Sequence, residues 1–250
     1  MGSGLARGAA ARGKRIAFGD GRKIIWGGRC REIYRNNPNV APPGSEGAGD
    51  LEWISYHPGR RGYVKSGGGR FVFNPDFAAP RGEFFFDATE EAEAERAAEG
   101  ARGFILVDAY IPPKPQSQTK RWHGWQAVAD HLRRLGLDVR QFRRPDGSGM
   151  LAGVPGIETK SFRAAAAVLA RAGLYMGPEG GLHHAAAAVN LPAVVLFGGF
   201  ISPLTTGYEG HVNFFTGGEA CGSLRPCGHC RKAMRAIAPE AVVEAAEDLL

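Results

Sequence analysis

The sequence predicts an α/β protein, with a parallel sheet and covering helices in residues 101–250 behind a reduced, β-rich segment in residues 1–100. Two observations carry the second half. Gly173 to Gly199 reads as strand, glycine-rich turn, helix and strand. Its helix places Leu182, Ala185, Ala186 and Val189 on one face, Asn190 and Pro192 stop it, and Ala193 to Phe197 is an unbroken apolar run suited to a strand covered on both sides. Phe104 to Val107 is a second buried strand, followed by a proline-rich loop and an amphipathic helix. A third observation sets the first half apart: its apolar runs are short and separated by glycine and proline.

From the start of the chain, Gly2 to Gly13 has a turn-and-helix composition too short to place, and Gly19-Asp20-Gly21-Arg22 between Arg15–Phe18 and Lys23–Trp26 predicts a hairpin. Cys30 to Tyr34 suits a helical turn, and residues 36–49 a loop. Leu51 to Tyr56, Gly62 to Lys65 and Arg70 to Phe73 read as short strands, the last two joined through Ser66 to Gly69. Ala88 to Ala101 alternates glutamates with alanines, a solvated connector helix, and the domain boundary is set near Gly100.

Beyond it, a helix from Trp122 to Leu135 carries Trp125, Val128, Ala129, Leu132 and Leu135 on one face and ends on Gly136. Asp138 to Phe142 and Val154 to Thr159 are strands, and Ser161 caps a helix carrying Phe162, Ala165, Ala166 and Leu169 inward. After Gly199, a loop with Ser202, Pro203, Thr205 and Thr206 lies at a strand's carboxyl end, where open α/β sheets bind ligands. His211 to Phe215 is the last strand, and Pro239 opens a terminal helix.

The chemistry gathers at two places. A helix starting at Gly180-Gly181 offers unpaired N–H groups and its positive dipole end to an anion, with Glu179, His183 and His184 beside it. Lys120, with Ser117 and Thr119 just before it, stands at the predicted start of the preceding helix, where it can neutralise a pyrophosphate. The plainer alternatives are a tight turn with surface histidines and a surface lysine.

The run Glu179-Gly180-Gly181, Leu182-His183, His184, Ala185 to Ala188, Pro192 and Val194 to Gly198 resembles the heptosyltransferase-like glycosyltransferases of family 9. The resemblance covers roughly Phe104 to Leu250 and includes Lys120-Arg121-Trp122, since the family has a phosphate-binding lysine shortly before a tryptophan. It implies a GT-B-like fold with a Rossmann-like donor domain, a nucleotide-sugar donor and an unknown acceptor. Donor binding is implied for Ser117, Thr119, Lys120, Glu179, Gly180, Gly181, Leu182 and His184, with His184 also catalytic. The family's usual Asp-Thr-Gly is Glu-Gly-Gly here, so a threonine hydroxyl is missing.

The family's opening glycine and aspartate loop is not evident. Gly4 to Gly8 reads as a remnant of it beyond a lost first strand, and Asp20, Glu32 and His57 are the possible bases. No Asp-x-Asp motif is present, so transfer is expected to need no metal. Cys221, Cys227 and Cys230 with His229 supply the four ligands of a zinc site, although a reduced cluster or a disulfide is the favoured reading; Cys30 is filler.

A formal charge of +6 suits phosphorylated ligands. The mixture of Trp53, Tyr56, His57, Arg60, Arg61, Tyr63, Arg70 and Phe71 keeps a nucleic-acid-modifying transferase open, beside a non-catalytic sugar-binding or nucleotide-binding protein. No apolar run is long enough to span a bilayer and no signal peptide is visible, so a cytoplasmic protein is expected.

Overall fold

The computed structural model describes residues 2–55, 61–144 and 146–250. Helix α1 (Gly2–Ala10) packs Ala6 and Ala9 on Ile16 and Phe18 of β1 (Arg15–Gly19). The expected hairpin forms only as a turn. The Asp20 carboxylate accepts from the Arg22 and Lys23 amides at 2.8 and 2.7 Å, and one antiparallel bridge joins Gly19 to Ile24. The lasting partner of β1 is instead β2 (Leu51–Ser55), paired in parallel after helix α2 (Gly28–Tyr34) and a long loop. Ile16, Ala17 and Phe18 are all buried, and a strand covered on both faces suits parallel pairing better than an exposed ribbon.

The second predicted hairpin does form, from β3 (Val64–Ser66) and β4 (Val72–Phe73). Helix α3 (Ala88–Ala97) opens with a capping box between Asp87 and Glu90 and packs on α5 (Phe162–Leu169), burying Ala94.

The main sheet holds six parallel strands in the order β10-β9-β8-β5-β6-β7. These are β5 (Ile105–Val107), β6 (Val139–Phe142), β7 (Gly156–Ile157), β8 (Leu174–Pro178), β9 (Ala193–Gly198) and β10 (His211–Phe215). Successive residues point to opposite faces. Leu106, Tyr175, Val195 and Phe197 meet α5 and α6 (Gly181–Ala188), whereas Ile105, Met176, Val194 and Leu196 meet α4 (Trp125–Arg134), α8 (Gly228–Arg235) and α9 (Pro239–Glu247). The short α7 (Pro203–Thr206) follows β9.

The chain order along this sheet reverses between β5 and β8. In a doubly wound sheet that is where a crevice opens at the carboxyl ends.

Two expectations shift. Lys120 does not begin α4; it ends a 3-10 turn (Pro115–Lys120), and α4 starts at Trp125 because the Trp122 ring and Gly124 separate them. Helix α8 was not foreseen, since its cysteines and basic residues hide the apolar face made by Cys230, Ala233 and Met234.

Candidate functional site

The site is built from the two loops that leave β5 and β8. From the first, Lys120 reaches across the switch point to Glu179, which directly follows β8. Its ammonium donates to the Glu179 carbonyl at 2.9 Å and forms a close ion pair with the Glu179 carboxylate. It also lies 5.2 Å from the centre of the Phe200 ring. Glu179 is 8% exposed. Burial pushes its carboxyl up, but Lys120 and His184 outweigh that, and it lies below its usual value.

Next to this pair α6 begins. Gly180 is its N-cap and no side chain caps the helix, so its first-turn N–H groups are left for water or a ligand. A Cβ on Gly180 would have only the Pro178 carbonyl within 4 Å, at 3.9 Å, whereas one on Gly181 would press on the Phe162 ring at 3.3 Å. Leu182 is half-buried at the same turn.

His184 sits one turn in, with Nε2 3.9 Å from the Glu179 carboxylate and Nδ1 2.8 Å from the Tyr208 hydroxyl. Burial lowers its pKa to about 4, so it is neutral at pH 7. His183 is fully buried among His184, Phe197, Tyr208 and His211. Glu179, His183 and His184 bring ligand atoms within 4.8 Å of one another, but the trio does not suit a metal. Lys120 already neutralises the carboxylate and Tyr208 occupies one nitrogen of His184.

The structure thus brings Lys120, Glu179, Gly180, Gly181, Leu182 and His184 together. Thr119, 3% exposed, and Ser117, half-buried, lie in the 3-10 turn behind Lys120. Phe200 and Tyr208 escaped the sequence reading, although both lie in the loop after β9 that it marked for ligand binding.

Of the possible bases, Asp20 closes its own turn, and Glu32 lies on α2 with its carbonyl accepting from Arg163 at 3.0 Å. His57 falls outside the described residues, as do Tyr56 and Arg60. The remaining aromatic residues do not form an open stacking surface. Tyr63, Phe71 and Phe73 turn inward, Phe73 meeting Phe200 at 5.8 Å.

The cysteines form a second cluster. Cys221 Sγ lies 3.2 Å from Cys230 Sγ and 3.9 Å from Cys227 Sγ, all are free thiols, and a ring nitrogen of His229 completes four ligand atoms within 4.8 Å. Of the reduced cluster and the disulfide expected from the sequence, the structure has the reduced cluster. Adjacent residues do converge here, because Cys227 is the N-cap of α8 and His229 and Cys230 lie in its first turn.

The family model for glycosyltransferase family 9 (heptosyltransferase) matches residues 72–233, a range that includes Lys120, Glu179, Gly180, Gly181, Leu182 and His184. The chain belongs to glycosyltransferase family 9. Among solved structures it is similar to the family 9 glycosyl transferase from Veillonella parvula, with 19% identity and a TM-score of 0.51 over 67% of this chain and 53% of that one. It is also similar to E. coli ADP-heptose lps heptosyltransferase II, with 20% identity and a TM-score of 0.48 over the same shares, 67% and 53%. A third is the iron-containing dodecameric glycosyltransferase TibC from enterotoxigenic E. coli, with 19% identity and a TM-score of 0.48 over 60% and 46%. The comparison with curated proteins finds no match. This family 9 chain spans about half the length of the first two structures it matches. No helix among its described residues is long and apolar enough to cross a membrane.

Proposed function

We propose that this chain transfers a sugar from a nucleoside-diphosphate donor to an acceptor hydroxyl, with residues 101–250 as the donor domain and the acceptor approaching from residues 1–100. The observation that carries this reading is the Lys120–Glu179 pair set against the uncapped start of α6 at the switch point. The acceptor oxygen bonds to the anomeric carbon, the bond from that carbon to the diphosphate breaks, and the electron pair leaves with the diphosphate. Lys120 and the first-turn N–H groups of α6 meet the charge that develops there, and neutral His184 adds a hydrogen bond. The acceptor proton passes to a base in the first hundred residues. Ser117 and Thr119 support the lysine turn.

The cysteine cluster fits a structural metal as part of the same reading. An ion with bonds of roughly 2.3 Å to sulfur would set its thiolates roughly 3.8 Å apart, which the 3.9 Å between Cys221 and Cys227 matches and the 3.2 Å between Cys221 and Cys230 reaches by a small outward shift. The His229 Nε2–H donates to the Gly217 carbonyl at 2.9 Å, which leaves Nδ1 as the ligand. Zinc and ferrous iron both suit three thiolates and an imidazole. Such an ion would tie α8 to the loop after β10. Free thiols at this spacing suit a reducing compartment, and we place the protein in the cytoplasm.

The test is a panel of nucleoside-diphosphate sugars, ADP-heptose included, followed by thermal shift and by release of the nucleoside diphosphate. One donor should raise the melting temperature and be turned over. Binding without turnover across a range of acceptors would favour a non-catalytic sugar-nucleotide binder, and a panel without any binding would refute the reading.

A further inference from the structure

We propose that Tyr208 is a positioning residue, whose hydroxyl donates to His184 Nδ1 and so fixes the imidazole as the Nε2–H tautomer facing the start of the donor site. The catalytic part of this inference rests on the transfer reading above; the tautomer does not.

The geometry allows two arrangements, and hydrogen-bond satisfaction chooses between them. A neutral imidazole has one donor and one acceptor nitrogen, so whatever Nδ1 does, Nε2 must do the opposite. The Tyr208 hydroxyl lies 2.8 Å from Nδ1, and that nitrogen is its one hydrogen-bond partner among the described residues. If the phenol accepted from Nδ1–H, its own proton would be left without a partner in a residue only 9% exposed. If it donates, the phenol proton and Nδ1 are paired, and the Nε2–H that remains is turned toward the negative Glu179 carboxylate 3.9 Å away, which favours a donor there over a lone pair. Burial raises the phenol's pKa, which keeps that proton in place.

What Nε2 faces makes the tautomer matter. Glu179 Oε1 is 3.9 Å away, too far for a hydrogen bond, and the carboxylate is already held by Lys120. The Nε2–H is therefore a donor without a full partner, beside the ammonium and the first turn of α6, where a diphosphate oxygen can accept it. The other tautomer would turn a lone pair toward that oxygen and repel it. The Tyr208 ring stands edge-on to His184 at 5.7 Å and 89°, and tilts against His183 at 5.1 Å, so packing holds the hydroxyl on its target.

The experiment follows the imidazole nitrogens of the full chain by 15N NMR, with His184→Gln used for assignment. Wild type should show His184 protonated at Nε2, and Tyr208→Phe should shift it toward the Nδ1–H form while circular dichroism and melting show an intact fold. In donor turnover, Tyr208→Phe should lower kcat by about tenfold with little change in donor KM, and should add nothing in the His184→Gln background. A wild-type Nδ1–H tautomer, or an unchanged tautomer in Tyr208→Phe, would overturn the proposal. So would equal, additive losses in the two backgrounds. An Nε2–H tautomer abolished by Tyr208→Phe, in a chain that turns over no donor, supports the Tyr208 contact and overturns the transfer reading instead.

Discussion

Lys120 cannot be treated as a surface lysine whose removal leaves the fold untouched. Its side chain is 16% exposed and its partner carboxylate 8%, so Lys120→Ala strands a buried charge at a cost of about 3 kcal/mol. The informative variant is Lys120→Ala with Glu179→Gln, which removes both charges. We expect the double variant to recover most of the lost stability in denaturant melts while nucleoside-diphosphate affinity, measured by calorimetry, stays down by about 10- to 100-fold. Full affinity in the double variant would take Lys120 out of the site. A second buried pair works differently. Arg163, 4% exposed, grips Glu90 through Nε at 2.6 Å and Nη2 at 2.8 Å, and its Nη1 also binds the Glu32 carbonyl. It joins α2, α3 and α5, so Arg163→Ala should cost about 3 to 5 kcal/mol without a specific effect on donor binding; a loss under 1 kcal/mol in urea melts would refute that.

At the scale of elements, the start of α6 separates folding from binding. Gly180 has a φ of 168°, which is extended backbone open to any residue, and a Cβ there meets almost nothing. Its small size therefore serves whatever approaches the helix. Gly180→Val should melt within about 1 kcal/mol of wild type yet bind nucleoside diphosphate poorly, whereas Gly181→Val should lose stability too by pressing on Phe162. Normal binding by Gly180→Val would show that the diphosphate lies elsewhere. The start of α8 is the other informative terminus. Protein purified without added metal should carry about one equivalent of zinc or iron, and a chelator should lower its melting temperature. Metal-free protein with undiminished stability would return the cysteines to simple packing.

For the whole molecule, buried titratable groups set the response to acid. His184 and His211 both fall from 6.5 to about 4, chiefly through burial. The unfolded chain therefore takes up their protons first, and their contribution is fully present above pH 6.5 and lost as pH falls toward 4. Each histidine should steepen that loss by about 1.4 kcal/mol per pH unit. Glu90 is held at about 2 by Arg163, against an ordinary 4.5, so its contribution is lost in a lower window, between pH 4.5 and 2. Melting temperature should thus begin to fall below pH 6.5, and His184→Gln should flatten the first part. A melting temperature constant from pH 7 to 5 would contradict this assignment.

The sequence by itself determined the fold of the second half of the molecule and pointed to its candidate site. Ala193 to Phe197 could only be a covered strand, Asn190 and Pro192 had to end α6, and Gly180-Gly181 marked its open terminus, because these signals act within a few residues. It also singled out Lys120, Glu179 and His184 as neighbours through family resemblance. Tertiary structure alone decided what those residues do to one another. Whether β1 pairs with the nearby arm of its turn or with β2, some 35 residues later, depends on what covers its buried faces. The Lys120–Glu179 pair spans 59 positions and the His184–Tyr208 contact 24, and local sequence carries no record of either. The cysteines show the same division, since their spacing suggested a metal but only the first turn of α8 could make adjacent His229 and Cys230 face one point. Long-range contacts are chosen by the packing of whole elements, and the chemistry of this site is made of them.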